Sequence, residues 1–402
     1  MGPAQAATTL IWDPSSNGAS DGSGTWHGGN TWWNGTADQA WVDASAVIIG
    51  TNTPGIYTIN LDSAVSATTV TFKTNSYILT GSPLTCSSIP VSSGVSAVIN
   101  CNLSGGPGFS VGNNGATLTL GGSYTSISGN PNFNGSGQTV STLNITNGTH
   151  TAPGTETYNN ITVNQSGGAV AFSIWNIGRT AAATYNLSGG TLRNTTVNAW
   201  GISRGFPAVV NISGTGLLGA FGNVGIASTT ITDNGTLNVL GGTANIGTGI
   251  GGIPGVSSAS LGNINMLAAS GTYAAAAKAA FNISGGVATA KGILFGNAAS
   301  SYANHPASQV NVSGGQLYLD ANGIALTTGV TGFLTPTINL SGGTLAATAN
   351  WTGSLPMSLN STNGDLTVQA ADINGTPFNI TLSGGLSGTG GMLKTGGGIL
   401  AV

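Results

Sequence analysis

Two short segments place the same chemical pair at the same spacing: Trp175-Asn176-Ile177-Gly178-Arg179 and Trp200-Gly201-Ile202-Ser203-Arg204. An indole face beside a guanidinium suits a sugar ring or a partner surface, because both groups combine a flat stacking plane with hydrogen-bond donors. The step of 25 residues from Trp175 to Trp200 equals the step from Asn186 to Asn211. A repeating unit of that length stacks Trp175 under Trp200 and Arg179 under Arg204, and Phe221 and Phe295, each followed by Gly-Asn, extend the aromatic column. Two arrangements satisfy this spacing: an exposed strip that binds glycan or a partner, and an inward stack that fills a corner of the core.

Little else in the chain converges on chemistry. Paired-carboxylate catalysis needs two acids close together with separated pKa values. The chain has one glutamate, Glu156, and scattered aspartates; Asp320, Asp365 and Asp372 fall at different phases of the repeat. His27, His150 and His305 are far apart in sequence, and the glycine clusters lack the strand-then-helix context of a phosphate loop. Arg179, Arg193 and Arg204 are the only basic residues close together, without the acidic trio that a polysaccharide lyase needs for its metal. Asp13, Ser15, Asn17, Gly18 and Asp21 imitate the first nine positions of a calcium loop, but Gly24 stands where the bidentate carboxylate belongs. The expectation is no enzyme, no cofactor and no metal. Cys86 and Cys101, the only cysteines, lie less than one repeat apart, which leaves a single disulfide and two buried thiols both open.

The elements that position these residues are marked by a recurring phrase: Asn, an apolar residue, Ser, then usually two Gly. It begins at Asn186, Asn211, Asn282, Asn311 and Asn339, with looser copies at Asn102, Asn164, Asn238 and Thr381. From Asn164 the steps are 22, 25, 27, 44, 29, 28 and 42 residues, so the two long ones read as double steps with a degenerate copy inside. A period of 20 to 30 residues means stacked supersecondary units. Each phrase ends a short strand, turns on glycine where φ > 0 is needed, and starts the next strand. One such unit is a coil of a parallel β-solenoid, with equivalent residues about 4.8 Å apart and the asparagines bonded amide to amide as a structural ladder. A β-sandwich with glycine turns is the alternative, and regular spacing over more than 200 residues counts against it.

Charged residues make up 4 % of the chain against about 25 % in ordinary proteins, so the surface is covered by Ser, Thr, Asn and Gly. Seven basic and ten acidic residues, scattered singly, offer no footprint for nucleic acid or anionic lipid, and no apolar run is long enough to insert in a membrane. Residues 1–80 hold Trp12, Trp26, Trp32, Trp33 and Trp41, and read as an N-terminal tryptophan-rich cap with the first strands. Residues 81–160 read as irregular solenoid coils and 161–402 as the regular repeats. Tyr273 to Phe281, a run rich in alanine, reads as a turn-like bulge from a coil.

The stretch Leu382-Ser383-Gly384-Gly385-Leu386-Ser387-Gly388-Thr389-Gly390-Gly391-Met392-Leu393-Lys394-Thr395-Gly396-Gly397-Gly398-Ile399-Leu400, the Asn-x-Ser-Gly-Gly-Thr-Leu phrases and the opening Trp-Asp with its tryptophan cluster resemble the autotransporter-associated β-strand repeat of bacterial surface and secreted passenger proteins. The resemblance implies an all-β, right-handed parallel β-helix exposed outside a bacterial cell. The membrane barrel or sorting tail that such proteins carry after the repeats has no match here. The expected function is a non-catalytic structural or adhesive protein of the cell surface or extracellular matrix. Its partners are surface glycans or further copies of itself, joined end to end through the apolar last strand; truncation of a longer protein is the competing explanation of that strand. The alternative is a carbohydrate-binding or carbohydrate-active β-helix.

Overall fold

A computed structural model of the chain describes residues 8–51, 53, 55–74, 76–108, 115–126, 132–134, 139–194, 200–247, 261–331 and 334–402. Every regular element among them is a β-strand, and no described helix is long and apolar enough to cross a membrane. The chain forms two compact units, Met1–Phe172 and Ser173–Val402.

In the second unit the strands stack as three parallel ladders. The first runs from Ala183–Leu187 through Ala208–Ile212 and onward to Leu386–Gly388. The second runs from Thr191–Asn194 to Met392–Thr395. The third runs from Trp200–Ile202 through Val224–Ile226 and Asn263–Met266 to Leu400–Ala401. The chain visits the three in turn and then begins the first again one strand further along, which is the connectivity of a parallel β-solenoid.

Alternation within each strand builds the core. Ala183, Tyr185 and Leu187 point inward and Thr184 and Asn186 outward, as the period of two requires. The column Leu187, Ile212, Val239, Ile283, Val312, Leu340 and Leu359 lies inside the first ladder, and Leu192, Leu218, Ala244, Ala288, Leu317, Leu345 and Val368 inside the second. All are buried. Burial of each large aliphatic side chain contributes about 1.5 to 3 kcal/mol.

The phrase marks the corner between the first and second ladders. Its second glycine carries the left-handed backbone: φ is 69° at Gly286, 64° at Gly315 and 72° at Gly343. These glycines also stack on one another, and a Cβ on Gly315 would sit 2.7 Å from the carbonyl carbon of Gly285.

Three expectations from spacing need correction. The 44-residue step from Asn238 to Asn282 is a single step, because the two asparagines pair directly across adjacent strands. Its extra residues lie between Ile246 and Asn263, where most fall outside the described residues, and at 267–277, which leaves the stack. The phrase at Thr381 belongs to the third ladder, paired with Thr352 and Ala401, while the first ladder continues through Ser358 and Ser387. In the alanine run only Tyr273–Ala277 leaves the stack; Lys278–Phe281 is strand in the first ladder, because Ala279 and Phe281 face the core.

The first unit is built the same way. One of its ladders passes through Tyr57–Leu61, Tyr77–Gly81, Ser96–Ile99, Thr117–Leu120, Ser141–Ile145 and Ile161–Gln165. The register therefore persists through residues 81–160, where the phrase fades. Asn102 stands outside the asparagine column, its side chain accepting from the Ser123 amide at 3.1 Å. At the start, Thr9–Trp12 pairs parallel with Ser45–Ile49 and antiparallel with Trp32–Trp33. Trp12, Trp26 and Trp32 are fully buried there, with Trp26 and Trp32 ring centres 4.6 Å apart and Trp41 5.1 Å from each.

Candidate functional site

Trp175 and Trp200 do stack, with ring centres 4.9 Å apart at 58°, and Tyr185 meets Trp175 edge-on at 5.4 Å. They stack inside the coils: Trp175 is 0 % and Trp200 1 % exposed. Parity explains this. Trp200 shares its face with Ile202, and the outward position between them is Gly201. Arg204 occupies the space that glycine leaves, for a Cβ on Gly201 would lie 2.9 Å from Arg204 Cγ and Cδ. The Arg204 guanidinium donates to Asn176 Oδ1 at 2.7 Å, and Arg179 is exposed in the preceding turn. Indoles inside and guanidiniums outside do not make one binding strip. The aromatic column does not continue past Trp200: Trp200 pairs with Val224, then Ile264 and Ile293, while Phe295 sits two residues further along beside Met266. Phe221 precedes its strand, its backbone held at both N–H and C=O by the Asn194 side chain.

The asparagine column is continuous. Asn211 donates to Asn186 at 2.8 Å, Asn238 to Asn211 at 2.7 Å, Asn282 to Asn238 at 2.7 Å, Asn311 to Asn282 at 2.6 Å and Asn339 to Asn311 at 2.7 Å. Every bond runs from Nδ2 to the Oδ1 of the lower-numbered rung. The ladder is half-buried and lies on the outer side of the first ladder of strands. Asn238 is a full member, although its phrase has Leu240 where Ser is usual. In the first unit Asn164 donates to Asn144 at 3.1 Å and Asn144 to Thr119 at 3.2 Å.

Cys86 and Cys101 are free thiols, both buried. Burial, with Cys101 nearby, pushes the Cys86 thiol up to about 12, and burial pushes Cys101 to about 11. Neither is a nucleophile at neutral pH, since only a thiolate attacks.

The acidic residues serve turns. Asp13 Oδ2 accepts from the amides of Asn17 at 3.0 Å and Gly18 at 2.6 Å, and Oδ1 from Ser15 at 3.2 Å. Burial opposes its charge, yet hydrogen bonds from Ser20, Asp38, Gly18 and Ser15 outweigh burial and hold Asp13 below the usual carboxylate range. Asp21 clamps the Thr51 and Thr53 amides and the Tyr77 hydroxyl instead. The five residues resembling a calcium loop therefore divide between two turns. Among the described residues no three His, Cys, Asp or Glu side chains gather as metal ligands.

The outer surface of the second unit holds two shallow clefts absent from the sequence reading. One, of about 370 Å³, is lined by Leu294, Ala325, Leu326, Asn322, Thr327 and Thr328, together with Ala321. The other, of about 180 Å³, lies where Ser358 and Ser387 replace asparagine, between Pro336 and Pro356. Beside the first, the excursions 267–277 and 296–306 pair through Gly271–Thr272 and Ser300–Ser301 and stack Tyr273 on Tyr302, ring centres 5.1 Å apart at 18°. Asp233 fastens the turn before them, accepting from the Thr229 and Thr230 amides at 3.1 and 3.0 Å. The only hint in sequence was Asn322-Gly323, a turn dipeptide whose side-chain contacts no local pattern reveals.

Comparison of the chain with protein-family models, with curated proteins and with solved structures finds no match.

Proposed function

We propose that the chain is a non-catalytic structural or adhesive β-solenoid acting outside a bacterial cell. In this reading its path is right-handed, and the indole cluster of Trp12, Trp26, Trp32 and Trp41 covers the first coil. Surface glycans or further copies of the chain are its partners. The observation that carries the reading is the outer amide ladder from Asn186 to Asn339, in which polar side chains bond one another along the stack. An unbroken row of neutral polar groups on a scaffold with 4 % charged residues suits contact with neutral polymers or with another such surface.

The test is made on the producing bacterium. Protease added to intact cells is expected to remove the protein, and a strain lacking it is expected to lose surface attachment or matrix. Protein confined to the cytosol, or a null strain with unchanged attachment and matrix, overturns the reading. Turnover on a panel of uronate and neutral polysaccharides, lost on Arg204→Ala, replaces it with the carbohydrate-active alternative.

A further inference from the structure

The larger cleft is a built feature of the third ladder's outer side. Asn265, Leu294 and Ala325 follow one another in register there, so two apolar side chains form its floor where a neutral polar residue precedes them. Asn322 stands at the edge. Its Nδ2 donates to Asn263 Oδ1 at 2.9 Å, although Asn263 is 59 positions earlier in the chain. The amide reaches that far because the rung between them is Gly292, the residue paired with both Asn263 and Gly323. A Cβ on Gly292 would lie 2.6 Å from Asn322 Cβ and 2.7 Å from the Gly323 carbonyl oxygen. The φ of Gly292 is not in the left-handed region, so this glycine serves space and not backbone conformation.

The bond to Asn263 fixes the plane of the Asn322 amide. One N–H is used, and an Oδ1 acceptor and a second N–H remain on a side chain that cannot swing. No hydrogen bond to another described residue is made by the Thr327 or Thr328 hydroxyl. A fixed donor and acceptor beside an aliphatic floor match a ring with one hydrocarbon face and a hydroxylated edge. None of the lining side chains is charged, so the matching ligand is neutral. The volume of about 370 Å³ sits at the low end of ligand sites, roughly 300 to 1,000 Å³, and accepts one ring of a longer chain.

We propose that this cleft binds a neutral pyranose, an unsubstituted or N-acetylated hexose unit of a surface polysaccharide, with Asn322 as the orienting group and Leu294 and Ala325 as the floor. The proposal deepens the glycan half of the proposed function. It is tested on the purified protein, so its failure is separable from a failure of attachment in cells.

The probes are methyl β-D-glucopyranoside, its N-acetylglucosamine counterpart and methyl glucuronide, titrated into the full chain with leucine methyls and side-chain amides followed by NMR. Saturable shifts at Leu294, Leu326 and Asn322 with a neutral glycoside, and weaker binding of the glucuronide, are expected. Asn322→Ala is expected to weaken affinity about tenfold, the scale of one to two hydrogen bonds. Gly292→Ala should do the same by displacing Asn322. Thr328→Val, which keeps the shape and leaves the Asn263 bond intact, should weaken it by a smaller factor, and Ser387→Ala, in the other cleft, should leave it unchanged. A melting curve on each variant confirms that it is folded. Absence of saturable shifts with either neutral glycoside, tighter binding of the glucuronide, or affinity unchanged in folded Asn322→Ala overturns the proposal.

Discussion

Two corners of the second unit, traversed by the same chain in successive coils, obey opposite rules. Between the first and second ladders the chain crosses in three or four residues in six successive coils, at 188–190, 213–216, 240–242, 284–286, 313–315 and 341–343. Between the third ladder and the next coil it uses 203–207, then 227–233, 267–277, 296–306, 327–336, 354–356 and finally 383–385. The tight corner stacks backbone on backbone at its glycines and stays at three or four residues through these six coils, lengthening to six only at 360–365. The loose corner points away from the stack, carries its own contacts such as the Tyr273 and Tyr302 pair, and borders the larger cleft. A solenoid therefore keeps its register at one corner and varies at another, as loops on a rigid scaffold generally do.

The contrast can be broken from the inside first. Trp200→Ala removes the larger part of a stack shared by two coils and is expected to destabilise by about 3 to 5 kcal/mol; chemical denaturation measures it, and a loss below about 1 kcal/mol would mean the indole does not support the core. Next is the tight corner itself. Gly315→Ala adds a Cβ against Gly285 at a left-handed φ and is expected to destabilise by about 2 to 3 kcal/mol. Two glycines inserted between Ala275 and Ala276, both exposed at the loose corner, should change stability by less than about 1 kcal/mol, since lengthening a loop is inexpensive. Equal effects from the two changes would erase the distinction.

Smaller effects sharpen it. Asn282→Ala strips one rung and leaves Asn238 Oδ1 and Asn311 Nδ2 without their partner, which is expected to destabilise by about 1 to 3 kcal/mol. Ser358→Asn extends the row past Asn339 and is expected to stabilise by about 0.5 to 1.5 kcal/mol, seen as a higher denaturation midpoint. In the first unit, the lowered folded-state value of Asp13 fixes the direction of a pH effect. Its contribution is full above the unfolded carboxylate value of about 3.9 and is lost as pH falls through the folded value. Tryptophan fluorescence during acid titration should show this loss, and Asp13→Asn should flatten it.

What could be read from sequence was what the stack repeats. Asn186, Asn211, Asn282, Asn311 and Asn339 declared the ladder because each recurs just before a corner of three or four residues. Asn238 was recoverable from its glycines, but the 44 residues that follow it hide their single step, since an excursion adds residues without adding a rung. Spacing aligned Trp175 with Trp200 correctly and left their direction open. That direction is set by parity against Ile202 and by a glycine at the position between, information that a period of 25 does not contain. The cleft was illegible for a different reason: Asn263, Gly292 and Asn322 meet only after the excursions 267–277 and 296–306 have been folded away.

The asparagine row has one further property. Because every Nδ2 faces the same way, reversing a single amide would set two donors against each other on one side and two acceptors on the other. Orientation thus belongs to the row as a whole, like polarity in a line of coupled magnets. Replacing an inner rung by Asn282→Asp, which keeps the shape but deletes the donor, would place an immobile wall in that line. The new carboxylate still accepts from Asn311, while its other oxygen and the Asn238 carbonyl repel. The amides below would then be driven to reverse as a row, with Asn211 donating to Asn238 and Asn238 to the carboxylate, and the face would carry two opposed polarities meeting at one rung.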